Sequence, residues 1–468
     1  MTDLYGSEQA MSLSLDRLIA ALSESGCAHI YFKPLAPNDN SKNQPYFGSD
    51  LSVLKLFPGG ELEEEIPSSR KSRLKPADRR LKSSLNFSWF GPDGRTYGAP
   101  HAKLILYPQF PEVRFSGFLR GSDADLSRWM QPEQSGREPG RHLVIGVKPD
   151  GELVGWLAVP GGTIADSLAR LEGMPRAGVF FEITSLVRPV SDHRDVLITE
   201  LRRIHLLGWI EGKRMLADGT TIPYASPNGA GYTLEAELGV RPSGHAVPDF
   251  LGWEIKQYGV KDFTHKVSVP LTLMTPEPSG GYYADEGAKA FVHRFGYADR
   301  HGQPNRRNFG GIYKVGKMNQ GTHLGLELRG ILNMDSGTFE VGGGLALVTS
   351  EGDVAALWHF SKLLDHWIRK HNRAAYVQSM KRDSLVRAYR YGNRVGLGEG
   401  TQFSHFLRAL QSCTIYYDPG IKVTRTEAGE SKVKRRNQLR VKTTDVPPLY
   451  ESFTIIDVLD TQSGAHPA

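Results

Sequence analysis

The 468-residue chain has only two cysteines, Cys27 and Cys413, far apart in sequence and with no CxxC spacing or Cys/His cluster beside either. This excludes a disulfide framework and argues against zinc sites, leaving two buried apolar thiols as the expectation. The histidines are no better placed as ligands, since His205, His245, His265 and His293 follow no metal-ligand spacing. No stretch approaches about 18 uninterrupted apolar residues, so no membrane span is expected. The start of the chain, with Asp3 and Glu8 ahead of Leu18–Leu22, lacks a basic n-region and a continuous apolar h-region. A cytoplasmic protein is therefore expected. Internal repeats and low-complexity segments are lacking too. The glycines of Gly342-Gly343-Gly344-Leu345 fit neither Rossmann nor P-loop spacing and read as turn chemistry.

What is present is enough chain for two cores, because 468 residues exceed what one hydrophobic core usually serves. Residues 1–175 read as mainly β. A first helix over about Leu13–Glu24 precedes the strands Ala102–Tyr107 and Glu112–Phe115, and His142–Val147 and Leu153–Ala158 form a hairpin around Pro149-Asp150-Gly151. A helix starting at Thr163 as N-cap closes this part, and the boundary falls between about 173 and 190. Residues 190–468 read as α/β, with helices near Asp195–Leu207, Tyr232–Leu238, Val354–Lys370 and Phe403–Leu410. The strands expected there are Trp253–Gln257, His323–Leu328 and Gly344–Thr349.

Net charge is only +6, so its distribution matters more than its sum. Arg70, Lys71, Arg73, Lys75, Arg79, Arg80 and Lys82 face the single acid Asp78, and Lys432, Lys434, Arg435, Arg436, Arg440 and Lys442 form a second run without an acid. Such runs are often solvated faces, but one in each candidate domain is what two phosphate-contacting surfaces would produce.

Chemistry concentrates between Gly229 and Lys256. Pro248 and Gly252 flank a turn or bulge, after which Trp253-Glu254-Ile255-Lys256 alternates apolar and charged with period two. Glu254 and Lys256 then share one face of a strand while Trp253 and Ile255 enter the core, and the bend brings Asp249 to the edge beside Glu254. Two carboxylates with a lysine alongside suit Mg²⁺, which takes few protein carboxylates and completes its shell from phosphate and water. The metal would stabilise a pentacovalent phosphate and acidify a water held by Lys256. The competing reading of the same residues is a surface ion pair on an exposed strand. Upstream, Leu234 and Leu238 make a helical apolar stripe ending at Gly239, which leaves Glu235 beside the stripe as a third carboxylate and Glu237 on a solvated face.

The run Gly231-Tyr-Thr-Leu-Glu235-Ala-Glu-Leu238 followed by Pro248-Asp249-Phe and Glu254-Ile-Lys256 resembles the MvaI/BcnI restriction endonucleases and the related MutH nicking protein, over about 190–465. Leu271-Thr-Leu-Met-Thr-Pro276 and Arg436-Asn-Gln-Leu-Arg-Val441 belong to the likeness. It implies a PD-(D/E)xK nuclease fold in which Glu235, Asp249, Glu254 and Lys256 are catalytic, Glu235, Asp249 and Glu254 bind Mg²⁺, and Lys434, Arg435, Arg436 and Arg440 contact DNA. Some relatives carry histidines where Lys434-Arg435-Arg436 stands, which leaves the target sequence open. Tyr31-Phe-Lys33-Pro-Leu-Ala-Pro-Asn38-Asp39-Asn40 with Gln44 and Tyr46 resembles the effector-binding domain of the EcoRII endonuclease, implying a B3-like pseudobarrel with two DNA-embracing arms. One arm would carry Asn38, Asp39, Asn40, Lys42 and Gln44, and the other Arg120 and Arg128. Both resemblances are associated with CCWGG, with CCSGG as the alternative from BcnI-type relatives. Together they imply a monomeric type IIE enzyme that binds two copies of double-stranded DNA, one per domain. A MutH-like nicking endonuclease and a non-catalytic DNA-binding protein are the other classes the residues allow.

Overall fold

The computed structural model of the chain describes residues 3–37, 44–49, 53–65, 79–110, 112–130, 138–186, 193–241, 248–264, 267–383, 386–425 and 430–460. They separate into two compact units, Met1–Val190 and Ser191–Ala468. Among the described residues no helix is long and apolar enough to cross a membrane.

In the first unit the apolar run His142–Val147 pairs antiparallel with Leu153–Ala158, placing Val147 opposite Leu153 and His142 opposite Ala158, and every residue of both strands is buried. A strand covered on both faces needs no polar alternation, which is why these runs are almost continuously apolar. They lie inside a seven-stranded sheet ordered Arg176–Ala177, Phe180–Glu182, His29–Pro34, His142–Val147, Leu153–Ala158, Phe87–Phe90, Thr96–Gly98. A five-stranded sheet runs Tyr46–Gly48, Glu112–Ser116, Lys103–Tyr107, Arg80–Ser84, Glu63–Glu65. The first helix of the expected pair spans Leu15–Glu24, with Ser14 accepting from the Arg17 amide as its cap. The later helix, Thr163–Ala169, has Gly162 and not Thr163 at its N-cap, and the Thr163 hydroxyl donates to the Met11 carbonyl.

The second unit is organised around a sheet ordered Ile210–Glu211, Ala388–Glu399, Arg373–Arg382, Glu254–Gly259, with Ser452–Asp457 also paired to Ala388–Glu399. The Glu254 strand runs parallel to its neighbour, with Glu254 opposite Ala374 and Lys256 opposite Tyr376. Helix His193–Leu206 presents Leu197, Leu201 and Ile204 to this sheet, and helix Gly229–Glu237 adds Ala230 and Leu234. They meet Trp253, Ile255, Ala375, Val377, Tyr391, Val395 and Leu397 in one core. The Tyr391 hydroxyl also donates to the Ala230 carbonyl at 2.7 Å, fixing the second helix against the sheet.

Two expectations fail here. Val354–His359 is a strand, not the first half of a helix; it pairs antiparallel with Thr338–Val348, and the helix is confined to Phe360–His371. A short apolar run carries no periodicity that separates a buried strand from a buried helix, so the open edge of Thr338–Val348 decides. Gly343 and Gly344 lie inside that same strand and not in a turn; a Cβ at Gly344 would stand 2.3 Å from the Trp358 carbonyl oxygen, so close backbone approach explains the glycine.

Candidate active site

The spacing between Asp249 and Glu254 is explained by one tight turn. Phe250 and Trp253 exchange backbone hydrogen bonds of 3.0 and 2.8 Å, leaving Leu251 (φ 47°) and Gly252 (φ 82°) as the two central residues. A two-residue turn with both φ positive reverses the chain with the twist a hairpin needs. It returns Asp249 to the start of the next strand, where its Oδ2 accepts from the Ile255 amide at 2.9 Å. Trp253, fully buried, then anchors the strand in the core, while Glu254 and Lys256 project from the other face.

Glu254 is 2% exposed. Its Oε1 accepts from Lys256 Nζ at 2.6 Å, and its Oε2 lies 3.6 Å from Lys370 Nζ without accepting a hydrogen bond from any described residue. Burial opposes ionisation of Glu254, but Lys256, then His371 and Lys370, together outweigh it and hold the carboxyl below its ordinary range. Asp249 and Glu235 behave oppositely. Burial and then the neighbouring Glu254 charge push Asp249 up to about 6, and burial followed by Asp249 and Glu254 pushes Glu235 up to about 7. Glu235 sits near the end of its helix, which closes with Gly239 at φ 73° and the Val240 amide donating to the Glu235 carbonyl at 2.9 Å.

Glu237 is not solvated as expected. Lys213 Nζ at 2.6 Å and Arg203 at 3.3 Å hold its side chain, which is 9% exposed.

Helix Phe360–His371 adds residues that sequence reasoning missed. Besides Lys370 it supplies His366, which burial and the two lysines lower to about 4. It also supplies His371, stacked on Trp367 and donating Nε2 to the Leu273 carbonyl at 3.1 Å; burial lowers it to about 3. Both imidazoles are thus neutral near pH 7. No local motif marks these residues, because only the parallel pairing of the strand that follows the helix with the Glu254 strand brings them to the carboxylates.

The arrangement can therefore hold a cation. Glu254 Oε2 is buried without a hydrogen-bond donor among the described residues, and burial followed by the neighbouring carboxylates raises Asp249 and Glu235, so a bound cation would favour their ionised forms. Among the described residues no group of three or more His, Cys, Asp or Glu side chains is gathered closely enough to enclose a metal on its own. A carboxylate pair, Asp249 and Glu254, is the donor set available, which suits an ion that takes its remaining ligands from phosphate and water.

A family model, that of the MvaI/BcnI restriction endonucleases, matches residues 198–450, more than half of the chain and the whole of this site. The chain belongs to the MvaI/BcnI restriction endonuclease family. It is accordingly a site-specific, DNA-binding nuclease. Solved structures similar to it include an MvaI–cognate DNA substrate complex (17% identity, 58% of this chain and 100% of that chain, TM-score 0.43). MvaI in the absence of DNA also matches (16% identity, 57% and 99%, TM-score 0.32). A search of curated proteins found no match.

The candidate DNA contacts of this MvaI/BcnI family member are less gathered. Asn38, Asp39, Asn40 and Lys42 lie outside the described residues. Gln44 Nε2 donates to Ser116 Oγ at 2.9 Å, Arg120 is exposed, and Arg128 lies over the Trp129 ring at 5.0 Å with Asp3 3.6 Å away. Lys434, Arg435 and Arg436 are exposed, whereas Arg440 is held by Asp418 at 2.7 Å and the Pro270 carbonyl at 3.0 Å. Of the first basic run, three residues lie among the described residues and each has an acidic partner. Arg79, Arg80 and Lys82 pair with Glu64, Glu65 and Glu63 of the adjacent strand. Arg70, Lys71, Arg73 and Lys75 lie outside the described residues.

Proposed function

We propose that this chain is a type IIE-like restriction endonuclease that hydrolyses double-stranded DNA at CCWGG with Mg²⁺, working as a cytoplasmic monomer. A second DNA copy would be bound by a B3-like domain formed by residues 1–175. The observation that carries the reading is the tight turn that brings Asp249 beside Glu254 and Lys256, within a family of site-specific nucleases. Asp249 and Glu254 would hold the metal, with Glu235 adjacent to receive or relay charge. The metal when bound would supply charge stabilisation at the phosphate and a more acidic water. Lys256, released from Glu254, would orient that water and favour its deprotonated form, while Trp253 and the turn keep both carboxylates in place. Gln44, Arg120 and Arg128 have side chains suited to base and phosphate contact in the first unit.

The test is to incubate the protein with a sequenced plasmid and Mg²⁺ and to sequence the product ends. Breaks at CCWGG support the reading, breaks at CCSGG move the specificity to the sister site, and persistent nicked circles indicate a MutH-like enzyme. Asp249→Ala is expected to abolish cleavage while binding persists; binding without breaks in the wild type would leave a non-catalytic DNA-binding protein.

A further inference from the structure

A small sheet of the second unit is ordered Tyr297–Ala298, Arg306–Gly310, Gly420–Arg425, Ser431–Lys434. Its register sets Asn308 opposite Lys422 and Lys422 opposite Lys434, and likewise Arg306 opposite Thr424 and Thr424 opposite Lys432. Residues directly opposite one another share a face, so these six side chains project together. Phe309, Ile421 and Val423 occupy the other face and are buried.

The charges on the shared face are not alike. Arg306 is neutralised by Asp299 at 2.7 Å, and Asn308 Nδ2 donates to the same carboxylate at 2.8 Å. Lys422, Lys432 and Lys434 have no acidic partner among the described residues, and Lys422 stands directly across from Lys434. Like charges directly opposite one another in an antiparallel pair destabilise it. Lysines on an edge strand can be explained as a guard against edge-to-edge association, and this would account for Lys432 and Lys434. It does not account for Lys422, which lies on an interior strand paired on both sides.

We infer that this face is a phosphate-contacting surface, on which Lys422, Lys432 and Lys434 grip the DNA backbone and register the duplex for cleavage. The inference rests on the nuclease reading and names where in the second unit the substrate backbone is held. Alternate residues on a strand stand about 6.5–7 Å apart and opposite residues about 5 Å apart, so the three ammonium groups are close enough to meet neighbouring phosphates on one strand. Such contacts position the protein but carry no sequence information. The repulsion between Lys422 and Lys434 in the free protein would be relieved by the bound polyanion.

The decisive residues are Lys422 and Lys432, examined in the full-length chain carrying Asp249→Ala so that the DNA stays intact. Binding to duplexes with and without the cleavage sequence is measured over a series of KCl concentrations. For Lys422→Gln with Lys432→Gln, the slope of log affinity against log salt should fall by about 1.8, at about 0.9 per lost phosphate contact. The loss should be equal on both duplexes, Lys422→Arg should keep the slope, and the melting temperature should match or exceed that of the parent. An unchanged slope, or a loss confined to the cleavage sequence, overturns the inference. Cleavage by the chain with intact Asp249 is assayed in parallel, since its absence would remove the nuclease reading itself, whereas cleavage with an unchanged slope removes only this surface.

Discussion

Within the candidate site three carboxylates hold their protons unequally, and the inequality has consequences that can be measured. Asp249 and Glu235 titrate at about 6 and about 7, whereas unfolded carboxylates titrate near about 4. Between these values the two folded carboxyls hold protons that their unfolded counterparts have lost, so their contribution to stability is lost as pH rises from about 4 to about 7, while the lowered His366 and His371 contribute in the opposite direction. Measured in EDTA, the melting temperature of Asp249→Asn or Glu235→Gln should therefore gain on that of the wild type as pH rises from about 4 to about 7; a difference that does not change with pH would contradict the assignment. Glu254 depends instead on Lys256 first, and then on His371 and Lys370. Removing one opposite charge about 4 Å away raises a carboxyl by about one unit or more. Lys370 lowers Asp249 and Glu235 too, and these higher-titrating carboxyls set the acid limb of the pH–rate profile, so Lys370→Met should shift that limb to higher pH and Lys370→Arg should restore it. A rate lowered equally at every pH would make Lys370 merely structural.

At the level of elements, the parts of the site legible in sequence were those encoded by local period. Alternation in Trp253-Glu254-Ile255-Lys256 separates core from site because successive side chains on a strand alternate faces, and Leu234, Leu238 and Gly239 mark a helix and its end for the same kind of reason. Lys370, His366 and the pairing of Glu237 were not legible, since each depends on which distant elements become neighbours. The Val354–His359 strand was missed because an apolar run of that length satisfies both periods, and only its partner Thr338–Val348 resolves it. The turn at Leu251-Gly252 lies between these cases: its glycine was visible, but the left-handed conformation of Leu251 was not. Gly252→Val forces a β-branched residue to φ 82° and should cost about 1–2 kcal/mol of stability. Because the same turn aims Asp249, kcat should fall by about 10²-fold, as for other small misplacements of a catalytic group. Stability lost with kcat intact would show that the turn closes the hairpin without positioning the carboxylate.

For the whole molecule, the important asymmetry is that every acid and lysine of the candidate site, together with the family match, lies within Ser191–Ala468. The groups of that cluster named above all come from the second unit, so if Met1–Val190 binds DNA we expect its effect to reach cleavage by linkage between two binding events. Linkage of this kind has a definite signature, since a ligand accelerates a reaction only through the state it stabilises. A plasmid with two CCWGG sites should be cut faster than a plasmid with one, and a short CCWGG duplex added in trans should raise the one-site rate before competing at higher concentration. Arg120→Ala with Arg128→Ala should abolish both stimulations while leaving the unstimulated one-site rate unchanged. Equal slowing on both plasmids would instead show that the first unit helps hold the DNA being cut, and equal rates for wild type on both would remove the second DNA copy from the scheme.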